Sequence, residues 1–182
     1  LKEMEIRIIE IDVDSIRSKL LSLGCAKVKE ENQTNLIYDF PDKKLLNNKG
    51  YARIRIVEDL IKNKITNYMT VKKLLSSEKY KVMEENETEI LSSEEGKKIF
   101  ESLGLCLVQG IQKYRESYKF KDTLIEIDIN QKDFCPFPYI EIESCHENQL
   151  KEVVHLLGYA MEDTTSKTIY EILKDKGVTK GL

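Results

Sequence analysis

Seven stretches of this chain place charged residues two positions apart, often with the same sign, save one that pairs a threonine with a lysine. They are Glu3, Glu5 and Arg7; Arg53 and Arg55; Thr70 and Lys72; Glu85, Glu87 and Glu89; Lys113 and Arg115; Glu126 and Asp128; and Glu141 and Glu143. In extended chain, residues two apart lie on one face. Acidic pairs on a shared face can hold a divalent cation through hard oxygen ligands. Basic pairs can grip phosphate oxygens, arginine in bidentate fashion. Together they suit a polyphosphate with its metal ions.

The segments carrying these pairs read as strands. In "YARIRI" the arginines alternate with Ala52, Ile54 and Ile56, and in "LIEIDIN" the acids alternate with Ile125, Ile127 and Ile129. The opening "KEMEIRI" and the later "YIEIES" follow the same rule. For one strand, the plain reading is a sheet face turned to water, its isoleucines packed on helices. Seven such strands argue against it, because like charges stacked two apart repel and a surface gains nothing from repeating them. Curling the sheet into a barrel puts the pairs inside, where acids and bases nearly balance. A charge left uncompensated there would cost several kcal/mol. A carrier of fatty or apolar ligands is excluded.

Between the strands, "DVDSIRSKLLSLG" predicts a helix capped by Asp12 or Asp14 and stopped at Gly24. "SSEEGKKIFESLG" and "NQLKEVVHLLG" predict two more with the same Leu-Gly ending, and "SKTIYEIL" predicts a last one. "TNLIYDF" reads as a short strand and "PDKKLLNNKG" as a turn-rich link. "IQKYRESYKF" and "TLIEIDIN" form a hairpin around Lys121 and Asp122. "LSLGCAKVKEENQTNLIYDF" echoes "ESLGLCLVQGIQKYRESYKF", which suggests two related halves sharing one antiparallel sheet. No Pro- or Gly-rich linker divides the chain, so residues 1–182 read as a single domain. Its ordered core covers about 3–173, with a flexible tail over 174–182.

Bulk properties narrow the class. The chain has 182 residues, 34% of them charged, a net charge of −3 and a pI near 5.6. No global positive field invites nucleic acid, and no apolar run reaches the roughly 20 residues that cross a bilayer. There is no signal peptide pattern at the start. An opening Leu in place of Met fits a trimmed start or a few missing native residues. Four cysteines without a C-x-x-C pair, and only two histidines, argue against zinc and fit a reduced, cytoplasmic setting. His155 has apolar helical spacing and reads as a core or boundary residue rather than a catalytic one.

Glu3-x-Glu5-x-Arg7 resembles the amino-terminal E-x-E-x-K signature of the CYTH superfamily, the triphosphate tunnel metalloenzymes. The resemblance continues in order through Arg53-x-Arg55, Thr70-x-Lys72, Glu85-x-Glu87, Lys113-x-Arg115, Glu126-x-Asp128 and Glu141-x-Glu143, covering about residues 3–173. It implies an α+β fold, a closed eight-stranded antiparallel β-barrel, or tunnel, with helices packed outside. It also implies a metal-dependent enzyme that hydrolyses an organic or inorganic triphosphate, or cyclises ATP to cyclic AMP with release of pyrophosphate. The helix placement and "IDIN…FPYIEIES" look most like the class IV adenylyl cyclase and thiamine triphosphatase branch.

By that resemblance, Glu3, Glu5, Asp128, Glu141 and Glu143 would bind Mg²⁺ or Mn²⁺, with Glu85, Glu87 and Glu126 as supporting carboxylates. Arg7, Arg53, Arg55, Lys72, Lys113, Arg115 and, from the last helix, Lys167 would hold phosphates. Glu5, Arg7 and Lys72 would be the catalytic set. The implied substrates are small triphosphates: ATP, thiamine triphosphate or tripolyphosphate. Neither nucleic acid nor membrane is expected as a partner, and the resemblance allows a homodimer. Two departures stand out. Arg7 replaces the signature's lysine, and "FCPFPYIEIE" replaces the usual Leu-Gly-x-Phe before the last acidic pair. The first keeps open a non-catalytic polyphosphate- or nucleotide-binding protein as the alternative. Lys72 faces inward only if no bulge precedes it.

Overall fold

The computed structural model describes residues 4–76 and 82–178. Its strands are β1 (Met4–Ile9), β2 (Ala26–Asp39), β3 (Tyr51–Asp59), β4 (Lys64–Ser76), β5 (Val82–Ile90), β6 (Cys106–Phe120), β7 (Thr123–Asn130) and β8 (Tyr139–Ser144). The helices are α1 (Val13–Ser22), α2 (Lys44–Asn47), α3 (Ser93–Ser102), α4 (Glu147–Leu156) and α5 (Ile169–Asp175). The eight strands form one antiparallel sheet in the order β1-β8-β7-β6-β2-β3-β4-β5.

Sequence alternation decides which face is which. Ile6, Ile8, Ile125, Ile127, Ile140 and Ile142 all point outward into one buried cluster, where α1 and α4 add Ile16, Leu20, Leu150 and Val153. A second outer cluster sets Phe100 of α3 against Ile54 and Ala52 of β3. Helices α1, α3 and α4 therefore cover the convex side of a curled sheet, and the charged pairs line its concave side.

The helix signals act as expected. Asp12, rather than Asp14, caps α1 by accepting from the Ser15 backbone N–H at 3.0 Å. Gly24 and Gly104 follow α1 and α3 at φ of +69° and +87°, a backbone conformation that favours glycine. His155 is exposed on α4, not part of a core or boundary. Among the described residues, no helix is long and apolar enough to cross a membrane.

Three expectations change. The short strand at "TNLIYDF" is the end of the 14-residue β2, and its echo lies in the 15-residue β6. These two long strands pair with each other at the centre of the sheet. β1α1β2β3β4 and β5α3β6β7β8 then occupy equivalent places in the strand order, so the weak sequence echo marks a topological two-fold. Second, "PDKKLLNNKG" contains a short helix, α2, built on Asp39, which accepts from the backbone N–H groups of Phe40, Leu45 and Leu46.

Third, the sheet is curled but its ladder does not close. β1 and β5 are its edges, and among the described residues no ladder joins them. The free edge of β1 pairs instead with Thr165 through two backbone bonds of 2.8 and 2.9 Å. Beyond that bridge, a reciprocal capping box between Thr168 and Glu171 starts α5. The helix continues through Asp175, past the expected end of the ordered core. Ile172 and Leu173 pack against Ile37, Ile111 and Tyr139 on the concave face, so α5 fills one end of the lumen.

Candidate active site

Register places the charged pairs side by side on the inner face. Across β1, β8 and β7, Arg7 is opposite Glu141 and Glu141 is opposite Glu126, while Glu5 is opposite Glu143. Across β7 and β6, Asp128 is opposite Arg115 and Asn130 is opposite Lys113. Continuing through β2 and β3, Arg115 faces Glu31 and Asn35 faces Arg55. Thr70 and Lys72 of β4 sit between the tyrosine and arginine of β3 and the acids of β5, opposite Arg53 and Tyr51 on one side and Glu87 and Glu85 on the other. The one irregularity of the β4–β5 ladder lies between Leu74 and Ser76, beyond Lys72, which therefore keeps its inward phase.

One wall of the lumen is a saturated ion-pair network. Arg115 holds Asp128 with two nitrogens, both at 2.6 Å, reaches Glu141 at 2.8 Å and also bonds Glu126. Lys113 adds a third donor to Asp128 at 2.7 Å. Arg7 donates twice to one oxygen of Glu141, at 2.8 and 2.6 Å, and also to Glu5. Its remaining arm donates to the backbone carbonyl of Lys167 at 2.8 Å. Burial would raise the pKa of Asp128 and Glu141. The cations beside them outweigh it, Arg115 and Lys113 at Asp128, and Arg7 and Arg115 at Glu141, so both carboxyls sit below the usual range.

Two acids of this network, Glu126 and Glu141, converge with a third carboxylate, Glu143. Glu126, Glu141 and Glu143 each offer an oxygen, all within 4.8 Å of one another. Burial first, then repulsion from Glu126, Glu141 and Glu5, pushes the Glu143 carboxyl up to about 8. Burial also raises Glu126, with Asp128 and Glu141 adding to it and Arg115 opposing. A set of hard oxygen donors that repel one another fits a small divalent cation such as Mg²⁺ or Mn²⁺. Asp128, expected among the metal ligands, is the acid most fully taken up by Arg115 and Lys113, whereas Glu126, expected in support, joins the trio. Glu3 lies outside the described residues.

The opposite wall holds its cations loosely. Arg53 reaches Glu87 at 3.2 Å, Thr70 at 3.3 Å and Glu85 at 3.5 Å, and Arg55 lies 3.7 Å from Glu87. Lys72 pairs with Glu85 at 2.8 Å. Burial would lower its pKa, but Tyr51 and Glu85 outweigh that and keep it cationic. The Nε atoms of Arg53 and Arg55 are buried with no partner. Donors left over in this way suit an anion with several oxygens.

Lys167 does not bring its side chain here: its ammonium pairs with Asp175 at 2.6 Å at an exposed position, and only its carbonyl reaches Arg7. Sequence reasoning missed Glu31 and Gln33, inner residues of β2 that precede the strand read at "TNLIYDF", and gave no role to Asn35 within it; all three are buried. Their spacing of two was a signal, but Glu30, Asn32 and Thr34 around them are polar as well, so no alternation marks that part as strand.

Comparison with known proteins agrees with this architecture. The sequence model of the CYTH domain family matches residues 1–169. No curated protein matches the sequence. Among solved structures, the PH1819 protein of Pyrococcus horikoshii OT3 superposes with a TM-score of 0.78 at 23% identity, over 96% of this chain and 99% of that one. A candidate adenylate cyclase of Vibrio parahaemolyticus gives 0.75 at 15% identity, over 95% and 98%. HpAC1 of Hippeastrum, an adenylyl cyclase candidate reported to show a dominant triphosphatase activity, gives 0.64 at 18% identity, over 98% and 89%. At these identities the likeness is one of fold.

Proposed function

The chain belongs to the CYTH domain family, and from that premise we propose that it is a metal-dependent enzyme acting on a small triphosphate held inside the curled sheet. The observation that carries the reading is the division of the lumen. One wall holds three converging carboxylates, Glu126, Glu141 and Glu143, and the other holds Lys72 together with Arg53 and Arg55, each of which keeps an unpaired Nε. Phosphate oxygens fit the second wall, and a cation that bridges them fits the first.

Arg53, Arg55 and Lys72 bind and orient the phosphates and neutralise charge that builds on them, the largest lever in phosphoryl transfer. Glu126, Glu141 and Glu143 would hold Mg²⁺ or Mn²⁺, with Glu5 beside them. A bound cation supplies Lewis acidity to a phosphate oxygen and lowers the pKa of water. In hydrolysis, water attacks the terminal phosphorus and the bond to the bridging oxygen breaks. In cyclisation, the ribose 3′-hydroxyl attacks the α-phosphorus and pyrophosphate leaves. The lumen charges serve either reaction.

The test is incubation of ATP, thiamine triphosphate and tripolyphosphate with Mg²⁺ or Mn²⁺, followed by product identification. Turnover of at least one, abolished in Glu143→Gln, supports the reading. If none of the three is turned over and none shifts the melting temperature, the reading fails. A second reading, a non-catalytic binder of polyphosphate or nucleotide, is favoured by one observation. Arg7 occupies Glu5 and Glu141, two carboxylates a cation would need. Tight binding without turnover would select it.

A further inference from the structure

We propose that the inner edge of β2 reads the non-phosphate part of the substrate, so that this protein prefers an organic triphosphate bearing hydroxyl or amino donors, such as a nucleoside triphosphate, over inorganic tripolyphosphate. The inference rests on the triphosphate reading and deepens it. It starts from the buried polar atoms without a partner: among the described residues these are Gln33 Oε1, Asn35 Oδ1, Arg53 Nε, Arg55 Nε and Asn130 Nδ2. Every one belongs to a residue on the inner face. The arginine nitrogens and the Asn130 amide are donors, which phosphate oxygens satisfy. The two carbonyl oxygens are acceptors, which phosphate oxygens cannot satisfy.

For Gln33 the assignment of oxygen and nitrogen is fixed by its neighbour. Its Nε2 donates to a carboxylate oxygen of Glu31 at 2.6 Å, so the amide oxygen is the end left free. Gln33 is 3% exposed and Asn35 6%, so bulk solvent does not reach them as it reaches a surface amide. A buried acceptor without a donor is destabilising, and a ligand that supplies the donor relieves it. The cations opposite do not relieve it: Lys113, in register with Gln33, spends its ammonium on Asp128, and Arg55, in register with Asn35, makes no bond to it.

Position completes the argument. β2 lies between β6, which carries Lys113 and Arg115, and β3, which carries Arg53 and Arg55. A triphosphate held by Arg53, Arg55 and Lys72 on β3 and β4 has β2 as its neighbour, so a group attached to it can extend over Gln33 and Asn35. The hydroxyls or amino group of an attached organic moiety then supply the missing donors. Tripolyphosphate has no such organic moiety, and its Mg²⁺ complex presents only acceptor oxygens.

Isothermal titration of ATP and of tripolyphosphate, each with Mg²⁺, tests this on wild type, Gln33→Met and Asn35→Leu. The expected result is a loss of about tenfold in ATP affinity in each variant, one hydrogen bond's worth. Tripolyphosphate affinity should hold in both, which also shows that the lumen has folded. Equal weakening of both ligands, or unchanged ATP binding in both variants, overturns the assignment. Wild type that binds tripolyphosphate but not ATP overturns it while leaving the triphosphate reading intact. Wild type that binds neither overturns both.

Discussion

Arg7 and Glu141 face each other across the β1–β8 ladder, and two nitrogens of the guanidinium donate to the same carboxylate oxygen, at 2.8 and 2.6 Å. The same guanidinium bonds Glu5 and the Lys167 carbonyl, so one side chain ties together two acids and the segment leading to α5. An ammonium is a compact point charge and cannot span those three acceptors. Arg7→Lys is therefore expected to lower the melting temperature without metal and to enlarge the rise that MnCl₂ produces, because Glu141 and Glu5 become available. Thermal denaturation of both proteins with and without MnCl₂ decides it. A Mn²⁺ response no larger than in wild type would show that Arg7 does not compete with a cation.

Glu143 gives a pH prediction. Its carboxyl is raised to about 8 in the fold, above an ordinary value near 4.5, so the native state retains a proton that the unfolded state loses. The contribution to stability thus declines as pH rises from about 4.5 and levels off above about 8. Cation binding must displace that proton, so Mg²⁺ affinity should climb with pH up to about 8. Titrating Mg²⁺ at pH 6.5 in buffers of different ionisation enthalpy should reveal net proton release, and Glu143→Gln should abolish it.

The loosely held arginines of β3 should matter to ligand more than to fold. Arg53 and Arg55 make contacts of 3.2 Å or longer and each keeps an unpaired Nε. Replacing either with Met removes charge-assisted bonds to phosphate worth about 1.5–3 kcal/mol. The expectation is a tripolyphosphate affinity lower by about ten- to a hundredfold, with a melting temperature close to wild type. Titration calorimetry beside a thermal melt separates the two effects.

Glu116 provides the converse case, on the outer face. It accepts from Arg17 at 2.6 Å, Tyr118 at 2.7 Å and Tyr114 at 2.8 Å, pinning α1 to the middle of the sheet. Burial would raise its carboxyl, but the bonds from Arg17, Tyr118 and Tyr114 outweigh it and hold it at about 2. A depressed acid stabilises the fold above its unfolded value of about 4.5, and this stability drains away as pH falls toward 2. Glu116→Gln should cost about 1–3 kcal/mol at neutral pH and flatten the acid limb of the stability curve. Triphosphate affinity should stay unchanged. Urea melts across pH 2–7 read the first two, and calorimetry the third.

The charged pairs of β1, β3, β7 and β8 were legible in the sequence because each alternates with isoleucines, so those strands and their inner faces could be read without coordinates. The part of β2 before Thr34 escaped for a physical reason. Its first residues, Ala26 to Lys29, are exposed, and the strand's inner face carries Glu31, Gln33 and Asn35 rather than a same-sign pair. With polar residues on both faces, no period of two stands out. Which acids the cations engage most was also not readable, since it depends on cross-strand register. Asp128 and Glu126 differ by two positions, yet Asp128 accepts three bonds from Arg115 and Lys113, while Glu126 accepts one from Arg115 and one from Ser117 and stands in the acidic trio. Lys167 shows the limit of helical placement: a helix can be foreseen near the lumen while its preceding lysine turns outward to Asp175.

The open edge between β1 and β5 has a mechanical consequence. A barrel bonded all the way round has a girth fixed by its strand number and stagger. Here, among the described residues, the circumference carries one unbonded seam, so the structure is a cuff rather than a pipe. Parting the lips of the cuff breaks no ladder hydrogen bond, and the lumen can widen around a bulky guest at little enthalpic cost. One lip is weighted by Thr165 and Lys167, both clipped to Arg7. The width of the cuff and the charge state of its acidic wall are thus governed from the same residue.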